Sequence, residues 1–381
     1  MSAPANPPDK GRRPVPRGTF VLGTVSGIDV TVASSWFLIV GLLAVLFAPR
    51  FELRVPGLGA GAYLAAGVLI VLFYGSVLLH EVAHALAARA FDMPVTSINL
   101  HFLGGATQIE GEASTPWREF TIAVVGPLTS LAIAGVGFLV LVPLDGGVIG
   151  YTVAYLAGAN LVVGVLNLVP GLPLDGGRVL QAAVWAVTRR RSLGVVAGAW
   201  GGRLAAVAAM AYPVLMVALG RSPQVIDYLF AFMVGSFLWA GATSALTMAK
   251  VRERLPTIQA RGLARPAIGV PADLPLAEAI RRAQEAHAGS VVVVSSDGRP
   301  AGIVNELAVA STPSERRPWL PVGDVARRIE DGLMIPADLA GEPLLTAMNR
   351  TPATEYVLLE ADGSVFGVLV TKDVDAAFRV G

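Results

Sequence analysis

Gly75-Ser76-Val77-Leu78-Leu79-His80-Glu81-Val82-Ala83-His84 ends a run in which residues 61–79 carry no charge. The run is long and apolar enough for a membrane helix, which needs ~20 such residues. Residues four apart share a helical face one turn away, so His80 and His84 can offer imidazole nitrogens to one metal ion. That pairing suits zinc, and Glu81 stands beside it to take a proton from an activated water and return it to a leaving amine. Three ionisable side chains at this depth are costly unless paired, metal-bound or lining water. A helix end that merely meets headgroups would explain one of them better than the spacing of all three.

The rest of the chain agrees with a membrane setting. Of 381 residues, 54% are hydrophobic and 15% charged, and the mean hydropathy is +0.62. A net charge of +1 gives no field that would draw nucleic acid. With no cysteine, disulfides, thiolate zinc sites and thiol nucleophiles are excluded, leaving His and carboxylates as strong ligands.

Apolar windows predict six spans, at 30–48, 61–89, 120–142, 148–168, 204–220 and 225–249. The residues through Phe20 are Pro-rich and basic, with no apolar segment of signal-peptide form, and read as a disordered tail. Basic residues gather in this tail, at Arg89 and Arg118, at Arg189 to Arg191 and from Lys250 to Arg254. An even number of spans with both termini in the cytoplasm satisfies that distribution, with Arg50 and Arg54 as a mild exception. Arg189 to Arg191 read as a topological anchor on anionic lipid, and Arg203 as a side chain snorkelling from a helix start.

A third metal ligand is needed. The segment Asn167-Leu168-Val169-Pro170-Gly171-Leu172-Pro173-Leu174-Asp175-Gly176-Gly177 cannot continue a helix, and irregular backbone at membrane depth is tolerated only against protein or water. This places Asp175 in a polar cavity as the candidate ligand. Alone, its Leu-Asp-Gly-Gly sequence would be an ordinary surface turn. Asn167 is a candidate donor to a developing oxyanion or an anchor for the reacting water.

Together, His80-Glu81-x-x-His84 on an early span and Asn167 through Gly177 on a later one resemble the site-2 protease family of intramembrane metalloproteases. Leu103-Gly104-Gly105, Glu119 and Gly126-Pro127 are similar to that family as well. The resemblance implies one catalytic Zn2+ held by His80, His84 and Asp175, with Glu81 as general base. It implies an integral membrane enzyme that cleaves transmembrane segments of single-span membrane proteins, such as anti-sigma factors or membrane-tethered regulators.

Between the second and third spans, Ile98, Leu100 and Phe102 alternate with Asn99 and His101 before Gly104-Gly105, predicting a membrane-associated β-hairpin. Its exposed edge either holds an unwound substrate as an added strand or simply packs between helices. His101 is expected on its polar face, without a metal.

Beyond Leu255 the chain turns charged and repeats itself. Ser290 through Gly298, then Gly302-Ile303-Val304, parallels Glu355 through Gly363, then Gly367-Val368-Leu369. Each copy has strand, Asp-Gly turn and strand. The copies resemble a CBS-domain pair, as found in a subgroup of the same family, and imply an α/β module that dimerises or docks substrate. By the family pattern, Asp373 with Thr371 beside it marks at most one adenine-nucleotide pocket, since the matching positions of the first copy are Asn305 and Ala308. The expected division is a cytoplasmic tail over 1–28, a transmembrane metalloprotease domain over 29–249, a linker over 250–265, and repeats over 266–313 and 314–381. The competing reading is a transporter or channel gated by its CBS pair. The second ligand motif and the lack of further buried charge along a pore argue against it.

Overall fold

The computed structural model describes residues 18–381 except 102–103, 145, 297, 305, 331 and 380–381. Two compact units emerge, Met1–Thr247 and Met248–Gly381.

The first unit opens on a hairpin of β1 (Thr19–Val25) and β2 (Ile28–Ala33). Its turn residues, Ser26 and Gly27, have φ of +50° and +75°. Two consecutive left-handed residues give the turn a twist that matches its strands. Then come α1 (Ser34–Arg54), α2 (Gly61–Ala90), β3 (Val95–His101) and β4 (Gly104–Ile109). β2 runs parallel to β3, which pairs antiparallel with β4, so a four-stranded sheet forms in the order β1-β2-β3-β4. α3 (Pro116–Leu141), α4 (Gly147–Asn167), a short α5 (Asp175–Thr188), α6 (Arg191–Ala218) and α7 (Val225–Arg254) complete the unit. Six helices, α1 to α4, α6 and α7, are long and apolar enough to cross a membrane.

Four expectations change in this unit. The expected tail over 1–28 falls partly on residues 1–17, outside the described residues, but from Thr19 onward the chain is strand. Local composition conceals this because the partner that buries Ile28, Val30 and Val32 is β3, far along the chain. The fifth span begins at Arg191 rather than at 204, because Gly194, Gly198, Gly201 and Gly202 dilute hydropathy without breaking the helix. Arg203 therefore lies well inside α6, its guanidinium 5.0 Å from the Trp200 ring and 5.1 Å from the Trp239 ring. Cation–π contact with two tryptophans replaces the expected snorkelling. Arg191, expected at lipid, instead pairs with Glu112 and approaches Glu119 at 3.7 Å.

The second unit begins in the last turns of α7. A 3-10 turn at Leu255–Thr257 and α8 (Ala260–Leu263) follow, so 250–265 is largely structured rather than a plain linker. β5 (Arg265–Pro271), α9 (Leu276–Glu285), β6 (Ser290–Val294), β7 (Pro300–Val304) and α10 (Glu306–Ser311) make one copy of a strand-helix-strand-strand-helix motif. After β8 (Ala326–Arg328), the second copy is β9 (Met334–Pro336), α11 (Gly341–Arg350), β10 (Glu355–Leu359), β11 (Val365–Val370) and α12 (Thr371–Arg379). The strands form one seven-stranded sheet, β8-β7-β6-β5-β11-β10-β9, in which β5 and β11 join the copies. Gly363, at +83°, supplies the left-handed residue of the second Asp-Gly turn, while Asp297 of the first lies outside the described residues. The polytopic α-helical protein with a membrane hairpin and a C-terminal α/β pair is thus the fold found.

Candidate metal centre

α2 carries His80, Glu81 and His84 into the interior, where they are 5%, 8% and 4% exposed. His84 Nδ1 lies 2.6 Å from the Ile122 carbonyl oxygen of α3. A carbonyl only accepts, so Nδ1 donates and the neutral ring keeps its lone pair on Nε2. His80 Nδ1 lies 2.9 Å from the Ser130 hydroxyl, one more α3 group that can hold the same tautomer.

Asp175 arrives from the opposite side at the start of α5. Pro170 and Pro173 break the chain after α4, and the Leu172 N–H donates to the Gly198 carbonyl of α6 at 2.8 Å. This docking needs glycine on α6. A Cβ at Gly202 would sit 1.8 Å from the Leu172 carbonyl oxygen, and one at Gly201 would sit 2.0 Å from that of Pro170. Further along α5, the Arg178 Nε donates to the buried Glu119 of α3 at 2.9 Å, tying the Asp175 helix to the helix that orients both imidazoles.

Asp175 Oδ2 lies 3.1 Å from His80 Nε2 and 3.3 Å from His84 Nε2, and the two Nε2 atoms are 3.1 Å apart. Three acceptors this close repel one another unless a cation lies among them. Corners of a tetrahedron ~2.0 Å from its centre are ~3.3 Å apart, so the spacing fits zinc with nitrogen and oxygen ligands and leaves a fourth corner. Among the described residues this is the group of His and carboxylates that could hold a metal.

Glu81 is positioned by the sheet. The Thr107 hydroxyl of β4 is 2.6 Å from Glu81 Oε2 and 3.1 Å from the Glu81 carbonyl oxygen. A Cβ at Gly105 would lie 2.4 Å from Glu81 Cγ, so this strand must be bare to pass over the carboxylate. Gly126 plays the matching part on α3, where a Cβ would come within 2.3 Å of His84 Nε2 and 2.6 Å of His80 Nε2.

The structure thus gathers His80, His84 and Asp175, with Glu81 adjoining them in sequence. Asn167 is the half-buried last residue of α4, and its side chain makes no hydrogen bond among the described residues. Leu103 and Phe102 lie outside the described residues, while His101 is half-buried on β3. In the second unit, Asp373 is gripped by Arg265 through Nε at 2.8 Å and Nη2 at 3.1 Å, and the Thr371 hydroxyl donates to the Ala353 carbonyl at 2.6 Å. Asn305 lies outside the described residues. Sequence reasoning missed Thr107, Ser130, the Ile122 carbonyl and the Glu119–Arg178 tie.

Residues 68–149 and 144–211 match the model of peptidase family M50. Over 375 residues the chain is 30% identical to the proposed zinc metalloprotease Rip3 of Mycobacterium tuberculosis, covering 94% of this chain and 92% of the relative. Among solved structures it is similar to the site-2 protease from Methanocaldococcus jannaschii at 22% identity and a TM-score of 0.42, covering 60% of this chain and 95% of that one. It is also similar to the CBS domain of the bacterial CNNM/CorC family Mg2+ transporter at 15% identity and a TM-score of 0.28, covering 38% and 92%. Carried by the near full-length relative and the family model, and consistent with the His–His–Asp cluster, the conclusion is that this chain belongs to peptidase family M50, the site-2 protease family of membrane zinc metalloproteases.

Proposed function

We propose that the chain is an intramembrane endopeptidase that cuts the transmembrane segments of single-span membrane proteins, with His80, His84 and Asp175 holding the zinc. The observation that carries this reading is the triangle of two imidazole nitrogens and one carboxylate oxygen, 3.1 to 3.3 Å on a side and turned away from solvent beside Glu81. When bound, zinc supplies Lewis acidity toward a water and toward the scissile carbonyl.

The chain's own groups do the rest. The Ile122 carbonyl fixes the proton of His84 on Nδ1, and the Ser130 hydroxyl can accept from His80 Nδ1 in the same way, the arrangement that turns both Nε2 lone pairs to the centre. Glu81 accepts the proton of the attacking water and hands it to the leaving amine, and Thr107 fixes one of its oxygens. Asn167 serves the developing oxyanion. A peptide bond inside a membrane helix has its carbonyl already hydrogen-bonded, so the substrate must unwind locally. β4 is an end strand of its sheet and passes over Glu81, which supports the reading that its free edge takes up the unwound backbone.

The distribution of basic residues supports a reading in which both termini lie in the cytoplasm. The C-terminal unit is read as a module for self-association or substrate docking, and an adenine nucleotide there would have to draw Asp373 from Arg265. The decisive experiment reconstitutes the full chain in liposomes with a single-span substrate. Glu81→Gln is expected to keep about one zinc per chain and the native circular dichroism while cleavage falls by at least about a hundredfold. Normal cleavage by that variant would end the proposal.

A further inference from the structure

Arg50 and Arg54 stand out as basic residues at the end of α1 opposite the basic N-terminal segment. Arg50 lies ~24 Å along the helix from Ser34, close to the far side of a bilayer core. Glu52 offsets only one of the two charges and is turned to the backbone, where its carboxylate accepts the N–H groups of Gly57 at 2.8 Å and Gly59 at 2.9 Å. Among the described residues neither arginine forms an ion pair. Each is laid on an aromatic ring, Arg50 at 4.7 Å from the Phe47 centroid and Arg54 at 5.6 Å from that of Tyr151 on α4. A guanidinium held over a ring and engaged in no ion pair still offers N–H donors to a planar or tetrahedral anion.

Arg50 also lines a crevice of about 690 Å³ between α1, α2, α4 and α7. Its remaining walls are hydrocarbon, aromatic ring or bare backbone, including Leu43, Phe47, Leu69, Phe73, Val162 and Phe230. A cationic rim on an apolar slot inside a membrane protein matches one kind of molecule, with a phosphate at one end and an acyl chain at the other. The volume argues against a substrate helix, since a cylinder ~10 Å across would fill it in about one and a half turns.

We infer that this crevice is a site for an anionic phospholipid, whose phosphate is taken by Arg50 and Arg54 and whose acyl chain occupies the slot between α1 and α4. The site stands apart from the metal centre, and none of its residues has a part in the proposed chemistry. Gly158 offers a clean probe, because it lines the slot and a Cβ there would meet nothing within 4 Å. A leucine at that position enters the slot without touching backbone, and it improves helix propensity.

The test measures lipid retention by the purified full chain in detergent, by native mass spectrometry, with phosphatidylglycerol or phosphatidylcholine of identical chains added. The unaltered protein is expected to retain phosphatidylglycerol preferentially. Arg50→Gln with Arg54→Gln should reduce that preference about twenty- to thirtyfold, at about fivefold per arginine. Gly158→Leu should lower retention of both lipids while the charge remains. Inorganic phosphate at matching concentration should not displace the lipid. The inference is overturned by unchanged phosphatidylglycerol retention in the double variant, by unchanged retention in Gly158→Leu, or by displacement with phosphate alone. A photocrosslink from position 159 to a substrate's membrane segment, with no lipid retained, would overturn it in favour of a substrate groove.

Discussion

Gly126 is defined by what cannot be there. A methyl group at that position would overlap the Nε2 atoms of His84 and His80, 2.3 and 2.6 Å away. Gly126→Ala must therefore push α3 from α2, which also moves the Ile122 and Ser130 groups that orient the two rings. Groups that orient metal-bound histidines typically matter by 10–100-fold in affinity. Zinc affinity is accordingly expected to fall by at least about tenfold, read by competition with a chromogenic chelator. An unchanged affinity would mean that α3 can retreat without cost. The convergence of the His pair and Asp175 was legible because a shared ligand would impose such spacing and because ionisable groups stand out where lipid disfavours them. Ser130 and Thr107 were not. Hydroxyls in apolar helices commonly bond the carbonyl one turn back, as Thr129, Thr152 and Thr247 do, and nothing local separates those from Ser130, while Thr107 lies on β4 and meets Glu81 only through the fold.

Between elements, the crossing of α6 over the broken segment sets where Asp175 stands. Gly198, Gly201 and Gly202 let backbone meet backbone there, as small residues do where membrane helices approach closely. In Gly202→Ala the new methyl would meet the Leu172 carbonyl at 1.8 Å, and only movement of the loop or of α6 relieves that. Overpacking of this kind costs about 1–3 kcal/mol. A lower thermal unfolding temperature together with weaker zinc binding is expected, and either result alone would separate packing from ligand placement. The sheet carries a second test at this scale. Proline substitutions at Gln108 and Ile109, on the end strand β4, remove backbone N–H groups from opposite edges, because neighbours on a strand alternate and the Glu110 N–H bonds the Pro94 carbonyl on the β3 side. If β4 takes up substrate, Ile109→Pro, which faces away from β3, should reduce cleavage about tenfold or more, equivalent to ~1.4 kcal/mol, with the metal site intact. Cleavage unaffected by both would leave the hairpin a packing element. Spans and hairpin could be read from hydropathy and alternation, whereas β1 and β2 could not, because the strand that buries β2 is β3, a partner far along the chain that no local pattern records, and β1 lies largely exposed against β2.

On the scale of the whole molecule, two solvents divide the chain into two kinds of electrostatics. Among the described residues of Met1–Thr247, charge inside the helices is held at the His80–Glu81–His84–Asp175 cluster, the Glu119–Arg178–Arg191 tie and Arg203 between its tryptophans, and the other charges lie at helix ends or, as Asp29 and Glu110 do, on the strands and loops. That segregation is what made the membrane unit legible from composition. In Met248–Gly381 charge lies on the surface and is organised in pairs. Arg261 joins Asp338 to Glu360, Arg265 clamps Asp373, and Glu278 takes Arg281 and Arg282. Hydrogen bonds from Arg281 and Arg282 pull the Glu278 carboxyl down to about 2, and the Arg265 and Arg261 bonds hold Asp373 and Glu360 below their ordinary values. A carboxyl with a folded-state pKa below its unfolded one stabilises the fold above the unfolded pKa, and this contribution is lost as pH falls through the folded one. The C-terminal unit should therefore hold constant stability from neutral pH down to about 5, then weaken progressively between ~4.5 and ~2. Because these pairs face water, added salt should flatten the decline. Hydrogen exchange of the full chain in detergent, followed on peptides from β5 to α12, measures this directly. Protection that stays level down to pH 2 would mean that the arginine pairs contribute nothing to holding the module together, and that its stability rests on the buried clusters around Leu358 and Val292 alone.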